Sequence, residues 1–226
     1  ETLKQLLAGA AARWAVSASF AALHKRAGIN DVTVMINRWQ PMAAAQLRQA
    51  RPAELPLRAC FIGGLSLHKG LAVLQAALLQ ADLPEPGLQL TLVDASLAPA
   101  AGYSLRWGQV PVQVVPAVPM QAMAGFYAEQ DLLLAPSTWP ESYGLVTREA
   151  LSAGLWVVAS ECGALAEPIR DGHNGHVVPP GDARALASVL EQLCRRHPTP
   201  QPLLSFNTGE PPLGLELDRC YRQLLA

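Results

Sequence analysis

Apolar residues recur along the chain in short blocks, and the spacing inside the blocks alternates between two periods. Ala59-Cys60-Phe61-Ile62, Leu88 to Val93, Val110 to Val115, Asp131 to Ala135, Trp156 to Ala159 and His176-Val177-Val178 are short, apolar or β-branched, and read as strands. The block Asp131 to Ala135 is nearly all apolar, which suits burial on both faces. Leu71, Leu74, Leu78 and Leu79 recur at helical spacing, in a helix beginning near Lys69 or Gly70 with Ser66 as its cap. Met120 to Glu129, Leu145 to Ala153 (closed by Gly154), Leu165 to Arg170 and Ala183 to about Arg195 are further predicted helices, the last capped by Asp182.

The flanks are looser. Trp14–Val16 reads as a strand, Ser19 to Ala27 as a helix ended by Gly28, and Val32 to Ile36 as a strand. Arg38 to Leu57 reads as a linker plus a polar helix. At the other end, His197 to Pro212 is a Pro-rich crossing loop, and Leu213 to Leu225 a helix with Leu217, Tyr221 and Leu224 on one face. Strands and helices alternating through short loops imply βαβ units. The expected fold is α/β, a Rossmann-like parallel sheet with helices on both faces. Ligands in such folds bind at the carboxyl ends of the strands, so the loops after Ile62, Val93, Val115, Ala135 and Ala159 matter most.

Composition narrows the function. Of the 226 residues 50% are hydrophobic and 15% charged, which excludes wholesale disorder. The net charge of −1 carries no footprint for nucleic acid. Cys60, Cys162, Cys194 and Cys220 form no C-x-x-C pair, so neither structural zinc nor a disulfide framework is expected, and reduced thiols in a cytosol are. The apolar stretch Leu6 to Leu23 is interrupted by Arg13, Ser17 and Ser19, and reads as buried globular structure rather than a membrane span. The chain starts at Glu1 without a signal-peptide pattern, and is expected to be a cut or processed piece.

Two segments carry candidate chemistry. In Gly63-Gly64-Leu65-Ser66-Leu67-His68-Lys69-Gly70 the glycines admit a ligand close to the backbone, and a following helix points its positive end at the same place. Lys69 in the first turn makes sense if an anion sits there; an ordinary βα turn with a surface lysine is the alternative. Neither G-x-G-x-x-G nor a Walker A loop is present, which disfavours a NAD-binding domain. In the second segment, Pro136 to Ala150, Glu141 lies in a loop and Glu149 about one turn into the helix that follows. Two such carboxylates can accept hydrogen bonds from sugar hydroxyls, while the amides of Gly144, Leu145 and Val146 stay free for a phosphate.

Taken together, these segments resemble the C-terminal, donor-binding domain of glycosyltransferase family 4, retaining enzymes of the GT-B architecture. Pro136 to Gly154 is similar to the family's Glu-x7-Glu motif, with Glu141 and Glu149 as its glutamates. Val157 to Ser160, Gly163 to Glu167, and the closing hairpin Asp171 to Asp182 match the segments after it. The resemblance implies roles. Lys69 binds the diphosphate of a nucleotide sugar beside Gly63 and Gly64. Glu141 contacts the sugar, with the Ser142, Tyr143 and Gly144 backbone alongside. The Leu145 and Val146 amides face the phosphate, Glu149 holds the ribose, and the loop around Val118 lies near the base. It also implies sugar transfer from a UDP, GDP or ADP donor to an acceptor hydroxyl with retention, and no metal or other cofactor. The acceptor would be a glycan or lipid-linked glycan, held by a missing N-terminal domain. The protein would be cytoplasmic, or peripheral at the inner face of the membrane when full length.

Three domains are expected: residues 1–37 as a remnant of the acceptor domain, 38–200 as the donor-binding domain, and 201–226 as crossing loop and C-terminal helix. Two departures stand out. Gly64 takes the place of an expected Arg, removing a cation worth about 3 kcal/mol in such sites; His68 and Arg148 are the candidate replacements. Asp94-Ala95-Ser96 stands where Gly-Asp-Gly is expected. A non-catalytic nucleotide-sugar-binding domain and a GT-B nucleotide-sugar epimerase are the rival readings. Among other residues, His173 and His176 flank an Asn-Gly better explained by hairpin turn chemistry than by a metal. Cys162 reads as an inert thiol, and Trp139 as a residue of the cleft or the packing.

Overall fold

The computed structural model describes residues 2–37, 50–199 and 213–225. Its centre is a seven-stranded sheet built from β3 (Leu57–Ile62), β4 (Leu88–Asp94), β5 (Tyr103–Trp107), β6 (Val110–Pro116), β7 (Leu132–Ala135), β8 (Trp156–Ser160) and β9 (Gly175–Val178). Their spatial order is β5-β6-β4-β3-β7-β8-β9. All pairs are parallel except the edge pair β5–β6. The expected α/β sheet with helices on both faces is therefore present.

Strand alternation explains the two covering layers. Ala59 and Phe61 of β3, with Leu132 and Leu134 of β7, face α3 (Leu71–Gln80) and α6 (Ala183–Arg195), where Leu74, Leu78, Leu186 and Leu190 complete the core. Cys60, Leu133 and Ala135 face the other way, onto Tyr127 of α4 (Met123–Ala128) and Leu151 of α5 (Leu145–Ser152). A strand with every residue buried, as in β7, needs apolar side chains on both faces. Asp182 caps α6 as expected, its carboxylate accepting from the Ala185 amide at 2.9 Å.

Several local expectations are corrected. Ser66 caps no helix: α3 starts at Leu71 after Gly70, so Lys69 lies just before the helix rather than in its first turn. Gly70 has φ +82°, and a Cβ there would sit 1.8 Å from the Pro136 carbonyl oxygen, so no other residue fits. Residues 165–170 form turns instead of a helix, and Met120–Ala122 is a 3₁₀ turn ahead of the shorter α4. The closing segment is no hairpin: β9 runs parallel to β8. Gly175 is there because a Cβ would meet the Val157 carbonyl at 2.2 Å, and Asn174 is buried, bracing Arg170 N and Pro168 O. Strand β5 has no counterpart in the expected elements.

The remaining described elements are α1 (Thr2–Ala8), β1 (Arg13–Ala15), α2 (Ala18–Arg26), β2 (Val32–Val34) and α7 (Leu213–Leu225). β1 and β2 pair in parallel, apart from the main sheet. The stretch Leu6 to Leu23 is not one buried unit: Leu6 is exposed and only Ala15 and Ser17 are fully buried, because the stretch is divided among three elements. Among the described residues no helix is long and apolar enough to cross a membrane. Tyr221 of α7 meets the Trp14 ring edge-on, with 5.8 Å between centroids, and remains 55% exposed. The expected linker and polar helix of Arg38–Leu57 fall mostly outside the described residues, as does most of the crossing loop.

Candidate active site

From β3 the chain moves to β4 and β6 on one side, then returns to β7, β8 and β9 on the other. The reversal lies between β3 and β7, and doubly wound folds place their ligand crevice at the carboxyl ends of the strands at such a point. Both candidate segments follow these two strands.

The crevice is bridged by charge. Lys69 Nζ lies 2.5 Å from Glu141 Oε1. The loops that carry them are tied by backbone: the Thr138 amide donates to the His68 carbonyl at 2.9 Å, and the Ser137 hydroxyl to the same carbonyl at 2.8 Å. Ser137 Oγ is also 3.0 Å from Glu141 Oε1. Glu141 is held from its other side by the loop after β8. Its carbonyl accepts from the Ala164 amide at 2.9 Å, and a Cβ at Gly163 would lie 2.3 Å from that carbonyl oxygen. Glu141 therefore caps no helix; it is fixed at the mouth of the crevice.

Helix α5 opens behind it. Gly144 is the N-cap in left-handed conformation, φ +70°, and supplies no side-chain bond to the first turn. The Leu145 and Val146 amides thus begin a helix whose positive end is uncapped by side chains. Glu149 is one turn further and 8% exposed. Its Oε2 accepts from the Tyr127 hydroxyl at 3.1 Å. Burial pushes the Glu149 carboxyl above its ordinary range, and the Tyr127 bond opposes that shift. Tyr127 itself is pushed far up, by burial first and then by the Glu149 charge. Tyr127 was absent from the sequence-derived site: it lies 22 residues before Glu149, and nothing local marks the contact.

The remaining candidates are placed as follows. Gly63 and Gly64 follow β3; a Cβ on Gly63 would press on Lys69 Cβ at 2.7 Å. Val118 is half-buried in the loop after β6. Tyr143 is buried and its hydroxyl donates to the Asn37 carbonyl at 2.5 Å, while Ser142 is exposed. Gly64, at φ +59°, stands beside Asp94, whose Oδ1 is 3.0 Å from where a Cβ would be. Asp94 Oδ1 accepts from Ser96 N and Oγ, while its buried Oδ2 has no hydrogen-bond partner. A carboxylate thus stands beside the position at which the resemblance expects an Arg.

Arg148 does not replace that cation. It is buried, donates to the Tyr143 and Ala164 carbonyls, and pairs with Glu167 Oε2 at 3.0 Å. His68 stacks edge-on against exposed Trp139, 5.6 Å between centroids, so Trp139 lies on the rim of the crevice. Among the described residues no group of three or more His, Cys, Asp or Glu is placed to hold a metal ion. Cys162 is buried, and its thiol is pushed up by burial and by the Glu141 charge.

A doubly wound sheet with a cation–carboxylate pair at its switch point, beside an open helix end, defines an α/β domain suited to an anionic ligand rich in hydroxyls. The chain belongs to the group 1 glycosyltransferases: the profile of that family matches residues 56–196. The D-inositol 3-phosphate glycosyltransferase of Arthrobacter sp. (strain FB24) is 35% identical over 178 residues, 72% of this chain and 39% of the relative. The phosphatidyl-myo-inositol mannosyltransferase of Mycobacterium leprae (strain TN) is 48% identical over 65 residues, 29% of this chain and 17% of the relative. The chain thus spans well under half the length of these curated relatives. Sucrose-phosphate synthase from Thermosynechococcus elongatus shares the fold with TM-score 0.72 at 23% identity, over 99% of this chain and 60% of its own. Anabaena HepE in complex with UDP does so with TM-score 0.59 at 24% identity, over 82% and 54%.

Proposed function

We propose that the chain is the donor-binding part of a retaining glycosyltransferase, and that it binds a nucleotide-diphosphate sugar at the β3–β7 crevice. The observation that carries this reading is the Lys69–Glu141 pair, 2.5 Å apart, beside the uncapped start of α5 and above the buried Glu149. An ammonium and a row of helix amides favour a diphosphate, and two carboxylates favour sugar hydroxyls.

Lys69 neutralises the diphosphate as it leaves, together with the Leu145 and Val146 amides. On donor entry its partner Glu141 is released to the sugar hydroxyls. Glu149 accepts from the ribose, oriented by Tyr127, and the loop at Val118 borders the base. The charge needed by the leaving group comes from Lys69 and the helix end, so no metal is required. Residues 1–37 are the end of an acceptor domain, 38–200 the donor domain, and 201–226 the segment that crosses back. The acceptor is a glycan or lipid-linked glycan, and the whole protein works in the cytoplasm, at the inner face of the membrane where its acceptor is lipid-linked. UDP in the Anabaena structure and the inositol and mannosyl names of the curated relatives support this class of donor and acceptor.

A second reading, a nucleotide-sugar-binding domain without turnover, is favoured by Asp94 beside Gly64, a carboxylate next to the loop proposed to take the diphosphate. The test is calorimetric titration with UDP-, GDP- and ADP-sugars, beside Lys69→Ala and Glu149→Ala. Selective binding to one nucleotide, weakened in both variants, is the expected result. Equal binding by the variants contradicts the site.

A further inference from the structure

The segment before residue 38 is fastened to the donor loop by a chain of polar contacts that the proposed chemistry does not use. Ser17 caps α2, accepting from the Phe20 amide at 3.1 Å, and its hydroxyl donates to the Ser142 carbonyl at 2.7 Å. The next free amide of α2, that of Ser19, donates to Glu167 Oε1 at 2.7 Å. Glu167 is thus a second cap for α2, contributed from 148 residues away, with its charge at the positive end of the helix. Its other oxygen holds Arg148 at 3.0 Å. Arg148 donates to the Tyr143 carbonyl and lies 4.1 Å from the Tyr143 ring centroid. Tyr143 closes the circuit by donating to Asn37 at the far end of the segment.

Every link but the Arg148–Glu167 pair touches either the N-terminal segment or Ser142–Tyr143, and that pair joins the two. Arg148 is the hub: a side chain only 8% exposed, whose one ionic partner among the described residues bridges to α2. A guanidinium offers several donors in one plane, so it can hold Glu167, the Tyr143 carbonyl and the Tyr143 ring together. The cleft of about 340 Å³ between the two parts is walled by Ser19, Phe20 and Arg26 on one side and by Glu141, Cys162 and Gly163 on the other. Moving α2 therefore reshapes the space in front of Glu141.

We infer that Arg148 is a positioning residue: through Glu167 and Tyr143 it couples seating of the N-terminal segment on the donor loop to binding of the nucleotide sugar, so that each strengthens the other. This rests on the donor site proposed above. Such coupling is reciprocal, and about tenfold in affinity is a representative size.

The experiment is hydrogen exchange of the full chain, alone and with UDP-glucose, GDP-mannose or ADP-glucose, for wild type, Arg148→Met, Arg148→Lys and Ser17→Ala. Without ligand, Arg148→Met is expected to speed exchange of the Ser19–Leu23 amides while the β3, β4 and β7 amides stay protected. With the nucleotide sugar that binds, wild type gains protection over residues 17–24. Arg148→Met and Ser17→Ala lose that gain and bind about tenfold more weakly, and Arg148→Lys, which keeps the charge but not the fork, falls between. Unchanged exchange over Ser19–Leu23 in Arg148→Met, with the central strands intact, overturns the inference. So does a ligand-induced gain that survives in Arg148→Met and Ser17→Ala. If no nucleotide sugar binds wild type, the donor reading fails and the coupling fails with it, while faster exchange in unliganded Arg148→Met still establishes the clamp as a separate result.

Discussion

Lys69 and Glu141 are 72 residues apart in sequence and meet at 2.5 Å, each just beyond the carboxyl end of one of two adjacent central strands. The pair sits where the sheet reverses its winding, and its two members are those that the donor reading assigns to phosphate and sugar. In the unliganded protein each neutralises the other; on the donor reading an arriving diphosphate competes for the ammonium. A charge-assisted contact of this kind contributes about 1.5–3 kcal/mol. Lys69→Ala is therefore expected to weaken a nucleotide-diphosphate sugar by about ten- to a hundredfold, and to leave binding of the bare nucleoside almost unchanged. Calorimetry with matched nucleoside and nucleotide-sugar pairs checks this.

Glu149 makes a prediction about pH. Its folded-state carboxyl is raised by burial, so above the ordinary carboxyl range the folded protein holds a proton that the unfolded chain has lost. Stability linked to this group is then present at low pH and declines as pH rises through the raised value. Glu149→Gln keeps an acceptor for Tyr127 and removes the buried charge. It is expected to be at least as stable as wild type at pH 7, with the difference shrinking toward about pH 4–5. Thermal unfolding across that range measures it. The same variant is expected to lose affinity for ribose-bearing ligands.

Tyr127 is wholly buried and supplies the donor to Glu149 Oε2. Tyr127→Phe leaves that oxygen without this bond in a buried site. A loss of about 1–3 kcal/mol is expected, read as a lower urea midpoint at unchanged slope. The Glu149 carboxyl rises further, since the one effect that lowers it is gone.

Gly163 has φ +66° and lies against the Glu141 backbone. Gly163→Ala places a methyl within 2.3 Å of the Glu141 carbonyl oxygen, so the loop that carries Glu141 must shift. The left-handed conformation alone costs about 1–3 kcal/mol for a residue with a side chain. Donor affinity is expected to fall more than in a Gly172→Ala control, where nothing lies within 4 Å of the added methyl. Side-by-side titration of the two variants decides it.

How far the sequence was readable follows from how local each signal is. The central strands and their covering helices were legible, because continuous apolar blocks such as Leu132–Ala135 and the Leu71–Leu78 repeat report burial directly. Glu141 and Glu149 were legible as one short segment. Strand β5 was missed although Tyr103, Leu105 and Trp107 alternate ahead of Gly108: an exposed edge strand carries a polar residue at every other place. Turns and a bend over residues 164–168 imitate a short helix at residues 165–170, and Asn-Gly imitates a hairpin because close packing of Gly175 on Val157 demands the same residue. Ser66 looked like a cap because a serine ahead of an apolar helical repeat is a common start signal, but the fold starts α3 after Gly70, which alone fits against the Pro136 carbonyl. Tyr127 under Glu149, and Glu167 holding both Arg148 and Ser19, are contacts between distant segments, and no local pattern announces them.

The central claim is that the loops after β3 and β7 form one ligand site at the switch point. Hydrogen exchange with the nucleotide sugar selected by calorimetry tests it most directly. The account predicts that slowed exchange appears together over residues 63–70 and 141–149, is lost in both when Lys69 is replaced by Ala, and is absent at the opposite end of the sheet near His173 and His197. Slowing confined to one loop, or centred on that opposite end, would contradict it.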